Sequence, residues 1–419
     1  MIRWAKCKVG EYRQILPACH PRLQRETRRL EENADTASIA RYNRMDATFF
    51  PRFRGGLGIV VFWQLCCRFR MKLRVGIVGL GEAWETRHRP ALRALSDRFE
   101  VRAVCCEVSH LAQQAAHDFS AQEVSGFRAL ASREDVDVVL ILAPEWYGPL
   151  PVFAACDHGK SVYCGAALDI DDPAQARQLR QRVEQAGIAF MAEFPRRLAP
   201  ATLRLKELIA TRIGAPKLIF CHRRSTIDPS APQIRRGRNC PTMLREMTEQ
   251  VDWCRYVAGM EPTSVVGIEH GTIDSADGDD YRMLSLDFSP QGKLGEGPIA
   301  QISCGRYMPE LWPEAVAFRP PAALQVCCER GIAFIDLPST LTWFDAAGRH
   351  MEALDSERPV GERLLMHFYR AVTSLVRKTD DAEDAYRALS IVLAARQSFD
   401  TGQRMSLATN GQNGNGSPH

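Results

Sequence analysis

The stretch LRVGIVGLGEAWETRH, from Leu73 to His88, decides the fold because it reads as a buried strand, a glycine turn and the start of a helix. The first glycine, Gly79, permits a tight turn, and Gly81 lets the backbone approach a pyrophosphate at the N-terminus of the next helix. Trp84 stands where the third glycine of the G-x-G-x-x-G pattern would be. Its ring must therefore pack under the helix or enter the ligand site.

This turn predicts a nucleotide site made by Gly79, Gly81, Glu82, Ala83 and Trp84. The competing interpretation is a strand-to-helix turn in a sheet that binds nothing. At the end of the next strand, the Glu107 carboxylate could accept the ribose hydroxyls, or it could be a solvated loop residue. No arginine follows to hold a 2′-phosphate, so the sequence favours NAD over NADP without excluding NADP.

Short apolar runs alternate with helical segments as far as residue 192. This alternation is typical of a parallel sheet, and the continuous apolar run Val136–Ala143 fits a strand buried on both faces. Before the last run, Asp172, Pro173 and Gly187 mark the N-cap, first residue and end of a helix. The predicted strands are Leu73–Val78, Val101–Cys105, Val136–Ala143, Ser161–Cys164 and Ile188–Met191.

After Glu193 the pattern changes to consecutive strands with few helices, which indicates an open, mainly antiparallel sheet. Helices are expected over Ala201–Ile213 and about Glu362–Phe399. The predicted strands are Lys217–His222, Ser264–His270, Arg282–Phe288, Ile299–Cys304, Leu324–Cys328, Ile332–Asp336 and Leu341–Phe344. We therefore predict an α/β chain with a poorly ordered basic extension (1–70), a Rossmann domain (71–192), an α/β substrate and oligomerisation domain (193–407) and a disordered tail (408–419).

The 419 residues are 45% hydrophobic and 25% charged, which is typical of a globular protein. The net charge is +4, with roughly +8 in the first 70 residues. The sequence has no basic stripe with interleaved aromatic residues, so a nucleic-acid-binding surface is not predicted. The fourteen cysteines include no C-x-x-C pair, and several lie in apolar runs. We expect reduced thiols, no metal site and a cytoplasmic protein.

The arginine-rich residues 1–70 carry one apolar run, Gly55–Cys67. That run is too short to span a bilayer and too far from the start for a signal peptide, so no membrane attachment is expected. Met71-Lys72-Leu73 reads as the opening of a domain. One hypothesis is that Met71 is the native start and that the upstream residues are unstructured or not translated.

Several spaced landmarks resemble the glucose–fructose oxidoreductase, inositol 2-dehydrogenase and MocA family. They are VGIVGLG, EVRAVC, DVDVVLILAP, GKSVYC, RRLAPATLRLKELI and VDWCRYVAG, and the resemblance runs from Lys72 to about Leu407. It implies a Rossmann domain, a second domain whose sheet often forms oligomer interfaces, and hydride transfer between a nicotinamide and a sugar or polyol hydroxyl. It also implies a nicotinamide site at Pro144, Trp146, Gly148 and Cys164.

Three positions depart from the family pattern. The usual Glu-Lys-Pro, whose lysine assists proton transfer, is replaced by Gly165, Ala166 and Ala167. The family's catalytic histidine lies three residues before an aspartate, and the residue three before Asp252 is Glu249. In the loop after the fourth strand, Gly148 stands where the family has a histidine. The residues that usually move the proton are therefore missing, although oxidation of an alcohol requires a base.

Glu249 is the predicted substitute base, because a carboxylate in a closed site can have its pKa raised. Glu246 and Asp252 lie one turn to either side, so up to three carboxylates could converge on one helix face. Glu246 would bind substrate, and Asp252 would act with Glu249, bind sugar or support the helix. The alternative for Glu246 and Glu249 is a solvated face or salt bridges to Arg245 and Arg255.

Two further groups of residues could contact a ligand. Arg196 and Arg197 stand at the entrance to the second domain, where Arg197 could hold an anionic substrate group or form an interdomain salt bridge. Trp146 and Tyr147 could stack on the nicotinamide or a sugar ring, or pack in the core. His88 and His222 have the surroundings of structural histidines.

These observations support three hypotheses. The first is an NAD(H)-linked oxidoreductase of a sugar-like substrate, with a homo-oligomeric assembly. The second is a dinucleotide- or sugar-binding module that has lost catalysis. The third is an NAD-assisted glycosidase that uses a carboxylate.

Overall fold

The computed structural model describes residues 72–165, 170, 172–227, 242–271, 280–290, 293, 295–309, 314, 321–355, 357–374 and 380–407. The predicted extension over 1–70, the tail over 408–419 and the vacant lysine position at Ala166 lie outside these ranges. The backbone of Pro144 and Glu145 is described, but their side chains are not. The described residues from 72 to 372 and from 380 to 407 form a single compact unit, and the predicted domain boundaries stay predictions.

The first half of the chain forms a six-stranded parallel sheet in the order β3-β2-β1-β4-β5-β6. Crossing from β1 to β4 at the centre of the sheet gives the doubly wound topology of a Rossmann domain. The strands are β1 Leu73–Val78, β2 Phe99–Cys105, β3 Gln122–Glu123, β4 Val138–Ile141, β5 Ser161–Cys164 and β6 Phe190–Ala192. The α/β fold class predicted from the sequence is confirmed.

Helices cover both faces of this sheet. A π-helical turn, Trp84–His88, leads into α1, and Asp172 caps α6 by accepting a hydrogen bond from the Ala174 amide at 2.8 Å. Gly187 ends α6 with φ +58, as predicted. The helices are α1 Arg89–Ala94, α2 Ser109–Phe119, α3 Phe127–Ala131, α4 Pro144–Tyr147, α5 Leu150–Asp157 and α6 Pro173–Ala186.

The second sheet has nine strands in the order β14-β13-β12-β11-β7-β10-β9-β8-β15. Its neighbours pair antiparallel except β7 and β10, which are parallel, so the sheet is mixed. The strands are β7 Pro216–Ile227, β8 Ser264–Gly271, β9 Asp280–Asp287, β10 Ile299–Pro309, β11 Leu324–Cys328, β12 Ile332–Asp336, β13 Thr340–Asp345, β14 Gly348–Ala353 and β15 Met405–Ser406.

Four long helices complete the unit. Two of them, α8 and α10, pack on each other and on the second sheet, while α10 also packs on α6 and β6 of the first. The third, α9, packs aromatic side chains on the first sheet, with Phe368 against Tyr163 and Tyr369 against Phe99. The helices are α7 Pro200–Leu208, which continues into a π-helical turn Ile209–Ile213, α8 Thr242–Ala258, α9 Val360–Thr373 and α10 Asp380–Thr401.

Candidate functional site

The glycine turn after β1 has the backbone geometry that a dinucleotide cradle requires. Gly79 and Gly81 have φ values of +68 and +60, a region that residues with a side chain rarely adopt. A Cβ on Gly81 would lie 2.1 Å from the Leu142 carbonyl oxygen, and one on Gly79 would lie 2.6 Å from Ala143 Cβ. Only glycine therefore lets the turn lie against the end of β4.

Trp84 does not extend across this turn. Its side chain is 6% exposed and lies against Phe119 of α2, with ring centroids 5.9 Å apart. Glu82 is exposed and Ala83 is half-buried, and the carbonyl of Ala83 accepts the amides of Arg87 and His88 in the first turn of the helix. The Trp84 ring thus packs under the helix, which is the first of the two alternatives that the sequence left open.

The end of β2 brings three polar side chains together. Cys106 follows the strand, and its thiol donates to Oε2 of Glu107 at 3.8 Å. Glu107 is exposed beside it. Tyr147, the last residue of α4, is half-buried and lies near Glu107 and Cys105. Burial and the contact with Glu107 raise the pKa of Tyr147.

The other residues predicted near a nicotinamide line the ends of β4 and β5. Trp146 is 55% exposed, while Gly148 is buried with φ +59, and Pro144 begins the single-turn helix α4. Cys164 is buried at the end of β5, and its carbonyl accepts the amide of Glu193 at 2.8 Å. Tyr147, which the sequence predicts as a substrate-binding residue, lies next to Gly79 of the glycine turn.

The three carboxylates of α8 each have separate arginine partners and do not form a shared cluster. Glu249 lies between Arg196 and Arg245, whose Nε atoms are each 3.7 Å from one of its oxygens. These separations exceed hydrogen-bond length, so the Glu249 oxygens keep lone pairs for a further donor. The side chain is 17% exposed.

Glu246 faces the second sheet. Its Oε1 is 3.0 Å from Nε of Arg223 on β7, and its Oε2 accepts a hydrogen bond from the Cys304 thiol of β10 at 3.2 Å. Nearby on the same two strands, His222 Nδ1 lies 2.7 Å from Ser303 Oγ. Glu246 and Glu249 thus have different environments, although they are one helical turn apart.

Asp252 is buried in an ion-pair network. Arg197 donates from Nε at 2.6 Å and from Nη2, and Arg255 Nη1 is 3.6 Å away. Burial raises the pKa of Asp252 to about 6, while the charges of both arginines act in the opposite direction. Arg197 also donates from Nη1 to Asp384 at 3.0 Å, so it joins α8 to α10.

Arg197 also lines a cavity of about 190 Å³ at the junction of β6, α8, α9 and α10. The remaining walls are mixed in character, with the polar side chains of Tyr256, His367 and Asp384 beside apolar ones. The apolar residues are Met191, Ala192, Phe194, Leu198 and Leu364. A small polar group could therefore lie against Arg197 without breaking its ion pairs.

A buried polar cluster that the sequence did not single out lies beneath α1. Glu193, directly after β6, is 1% exposed and accepts hydrogen bonds from His88 Nε2 at 2.7 Å, Tyr163 Oη at 2.8 Å and Arg87 Nη1. Burial alone would raise its pKa, but these donors together hold the pKa of Glu193 below its usual value. A glutamate directly after a short buried strand is the signal that could have found it.

The turn fits a dinucleotide, because its glycines are in the required conformation and the Trp84 ring is turned away. Gly79, Gly81 and Ala83 would hold the pyrophosphate and Glu107 the ribose. No group of three metal-ligating side chains occurs in the described ranges, and the nine cysteines there are all thiols. No described helix has both the length and the apolar character of a bilayer-crossing segment.

Residues 73–194 match the family described as oxidoreductases with an NAD-binding Rossmann fold. These residues are therefore a domain of the glucose–fructose oxidoreductase, inositol 2-dehydrogenase and MocA (Gfo/Idh/MocA) family. Curated relatives include sugar and polyol dehydrogenases. The inositol 2-dehydrogenase of Rhizobium meliloti is 27% identical over 221 residues, which is 52% of this chain and 64% of that protein. The dTDP-3,4-didehydro-2,6-dideoxy-alpha-D-glucose 3-reductase of Actinomadura kijaniata is 30% identical over 122 residues, 29% of this chain and 36% of that enzyme.

The chain thus spans between 36% and 64% of the length of the curated Gfo/Idh/MocA relatives it matches. Solved structures are similar over more of it. Levoglucosan dehydrogenase, in complex with NADH and levoglucosan, has a TM-score of 0.68 at 18% identity, and covers 81% of this chain and 100% of its own. UDP-N-acetylglucosamine 3-dehydrogenase from Acidithiobacillus ferrooxidans has a TM-score of 0.62 at 18% identity, and the match covers 79% of this chain and 99% of that enzyme. At these identities the similarity is one of fold.

Proposed function

We propose that this protein is an NAD(H)-dependent oxidoreductase that acts on a hydroxyl of a sugar or polyol. The observation that carries the proposal is the glycine turn after β1, which has the conformation of a pyrophosphate cradle and is clear of the Trp84 ring. The sugar and polyol dehydrogenases among its relatives support the substrate class. The exposed Glu107 carboxylate favours NAD, because it would repel a 2′-phosphate.

When bound, the nicotinamide would accept or supply the hydride, and this chain's own residues must then handle the hydroxyl proton. Glu249 is the proposed base. It stands at the family's histidine position, and its oxygens are 3.7 Å from two guanidinium groups, outside hydrogen-bond length. A substrate hydroxyl could therefore donate to Glu249 while Arg196 and Arg245 hold the carboxylate in place. Asp252 would orient this helix through Arg197.

A non-catalytic binding module is the second candidate. The observation that favours it is the pairing of all three α8 carboxylates with arginines, together with the loss of a histidine at Gly148. Such a protein would retain dinucleotide or sugar binding without turnover. The NAD-assisted glycosidase hypothesis would use the same glycine turn and a carboxylate.

The assembly and cellular location are also proposals. Leu218, Cys327, Ile332 and Phe344 form a row across four neighbouring strands of the second sheet, because each is the cross-strand partner of the next. Leu218 and Phe344 are 42% and 38% exposed, so the row offers an apolar contact to a second copy of the chain. The nine described thiols are compatible with a reducing cytoplasm.

The test is an NADH titration followed by turnover measurements on a panel of sugars and polyols. We expect NADH to bind with micromolar affinity, and Glu249→Gln to lower kcat by roughly 10²–10⁴-fold, the usual effect of a general base. Glu207→Gln is the matched control, because Glu207 also pairs with an arginine on a helix but is 62% exposed. Failure to bind NADH up to millimolar concentration would contradict the proposal, and binding without turnover would favour the module.

A further inference from the structure

The guanidinium group of Arg196 has the charge and the position to hold an anion beside Glu249. Its Nε is 3.7 Å from Glu249 Oε2, and its Cζ lies 5.5 Å from the centre of the Trp253 ring. That ring is itself fixed, because it is buried and its Nε1 donates to Thr202 at 3.0 Å. The side chains of Arg196 and Glu249 are 11% and 17% exposed, so both reach solvent but are largely desolvated.

The neighbouring Arg197 differs from Arg196 in how closely its carboxylate partners approach. Arg197 donates from Nε and Nη2 to Asp252 and from Nη1 to Asp384. Among the described residues, Glu249 is the carboxylate nearest to Arg196, and 3.7 Å is longer than a hydrogen bond. A largely desolvated guanidinium is stabilised when an anion accepts its hydrogen bonds in the guanidinium plane. Arg197 is therefore committed to the fold, whereas Arg196 has donors to offer a ligand carboxylate.

The charges around Glu249 also favour an anionic ligand. Arg245 Nε lies 3.7 Å from Glu249 Oε1, and Arg223 Nε lies 3.0 Å from Glu246, one turn earlier on α8. With Arg196, three positive and two negative side chains give this group a net charge of +1. A neutral polyol would leave that charge uncompensated, whereas a carboxylate would balance it.

We propose that the substrate is a hydroxy acid of the sugar series, an aldonate, whose carboxylate binds Arg196 while a neighbouring hydroxyl donates to Glu249. The inference rests on the proposed function and narrows its substrate class. The 3.7 Å between Arg196 and Glu249 sets the spacing, because a carboxylate held bidentately by the guanidinium brings only the hydroxyls on the nearest carbons within reach of Glu249. Arg196 is then a specificity-determining residue.

The test measures binding by isothermal titration calorimetry, with and without NADH, which cannot oxidise a hydroxyl and so gives a complex without turnover. The probes are D-gluconate, D-mannonate, D-allonate and D-altronate, which together present every configuration at the two carbons next to the carboxylate. Each is compared with the alditol that has a hydroxymethyl group in place of the carboxylate. We expect at least one aldonate to bind roughly 10- to 100-fold more tightly than its alditol, the effect of hydrogen bonds between charged groups.

Two substitutions test whether Arg196 is the source of this preference. Arg196→Gln should remove it, and Arg196→Lys should keep only part of it, because lysine retains the charge without the planar fork. Arg204→Gln is the matched control, since Arg204 also pairs with glutamates and is 30% exposed but lies on α7. It should leave every affinity unchanged.

Three results would overturn the assignment of Arg196: alditols that bind as tightly as aldonates, a preference that survives in Arg196→Gln, or no binding by any probe. The proposed function is judged separately, by the NADH titration and by turnover of neutral sugars. Aldonate binding through Arg196 in a protein that does not bind NADH would support the anion site and overturn the oxidoreductase.

Discussion

The buried carboxylate of Glu193 links the start of α1 to strands β5 and β6 of the first sheet. It joins α1 through Arg87 and His88 to β5 through Tyr163, and its own backbone follows β6. Glu193 contacts the His88 ring only at Nε2, whereas His88 Nδ1 is buried with no hydrogen-bond partner among the described residues. Removal of the carboxylate would leave several buried donors uncompensated.

We predict that Glu193→Gln lowers the free energy of unfolding at about pH 7 by about 3 kcal/mol, the usual cost of breaking a buried pair. The folded pKa of Glu193 is lowered, so its contribution is present above the ordinary value of 4.5 and is lost as the pH falls through the folded pKa. The difference between wild type and variant should therefore shrink on acidification. Urea unfolding at about pH 7 and about pH 4 measures this.

The control for this experiment is an exposed glutamate. Glu207→Gln should change stability by less than about 0.5 kcal/mol at either pH, since exposed pairs contribute little. A difference between wild type and Glu193→Gln that stays constant with pH would show that the carboxylate charge is not what stabilises the cluster.

At the scale of elements, the glycine turn depends on a close approach as well as on a backbone conformation. Gly81 and Gly159 have nearly the same φ, +60 and +62, but their surroundings differ. A Cβ on Gly81 would meet the Leu142 carbonyl oxygen at 2.1 Å, whereas a Cβ on Gly159 would meet no described atom within 4 Å. Substitutions at Gly81 and Gly159 therefore separate the free-energy cost of the left-handed backbone conformation from the cost of the clash with Leu142.

We predict that Gly159→Ala lowers the free energy of unfolding by about 1 kcal/mol, the cost of a left-handed alanine, and leaves NADH affinity unchanged. Gly81→Ala should cost a further 1–3 kcal/mol or so, because backbone must move, and should weaken NADH binding. Thermal unfolding and the NADH titration measure both effects. Equal destabilisation by the two substitutions would show that the turn can relax away from β4.

Elements whose signals are local were predictable from the sequence. Ser161–Cys164, Leu324–Cys328 and Ile332–Asp336 have the predicted bounds, because each is a short apolar run with clear ends. Strand β14, Gly348–Ala353, was missed because its residues GRHMEA carry no apolar alternation and depend on pairing with β13. The long terminal helix was predicted as one region, but residues 375–379 between α9 and α10 lie outside the described ranges.

The candidate site was less predictable, because its decisive contacts join distant parts of the chain. Helix periodicity placed Glu246, Glu249 and Asp252 near one face, yet their arginine partners come from β7, the entrance of the second domain and α8 itself. The position of Tyr147 depends on contacts with Phe127 and with residues at the end of β2. No local pattern contains that information.

At the scale of the whole molecule, the outward row of Leu218, Cys327, Ile332 and Phe344 bears on assembly. We predict that the protein is a dimer or larger oligomer in solution and that Leu218→Glu shifts it towards the monomer, because a charge would be desolvated at the interface. Leu111→Glu is the matched control, since Leu111 is also 42% exposed but lies on α2 of the first sheet. Light scattering coupled to size exclusion measures the mass, and a monomeric wild type would contradict the prediction.

The position of β7 in the second sheet has a consequence for synthesis on the ribosome. This strand is complete at Ile227, but its neighbours β10 and β11 are Ile299–Pro309 and Leu324–Cys328. At translation speeds of about 5–20 residues per second, both edges of the nascent strand stay unpaired for several seconds. The first sheet stays partly uncovered for longer, because α9 and α10, which pack on it, are synthesised after all six of its strands. Chaperones that bind exposed apolar segments would meet this chain during that interval.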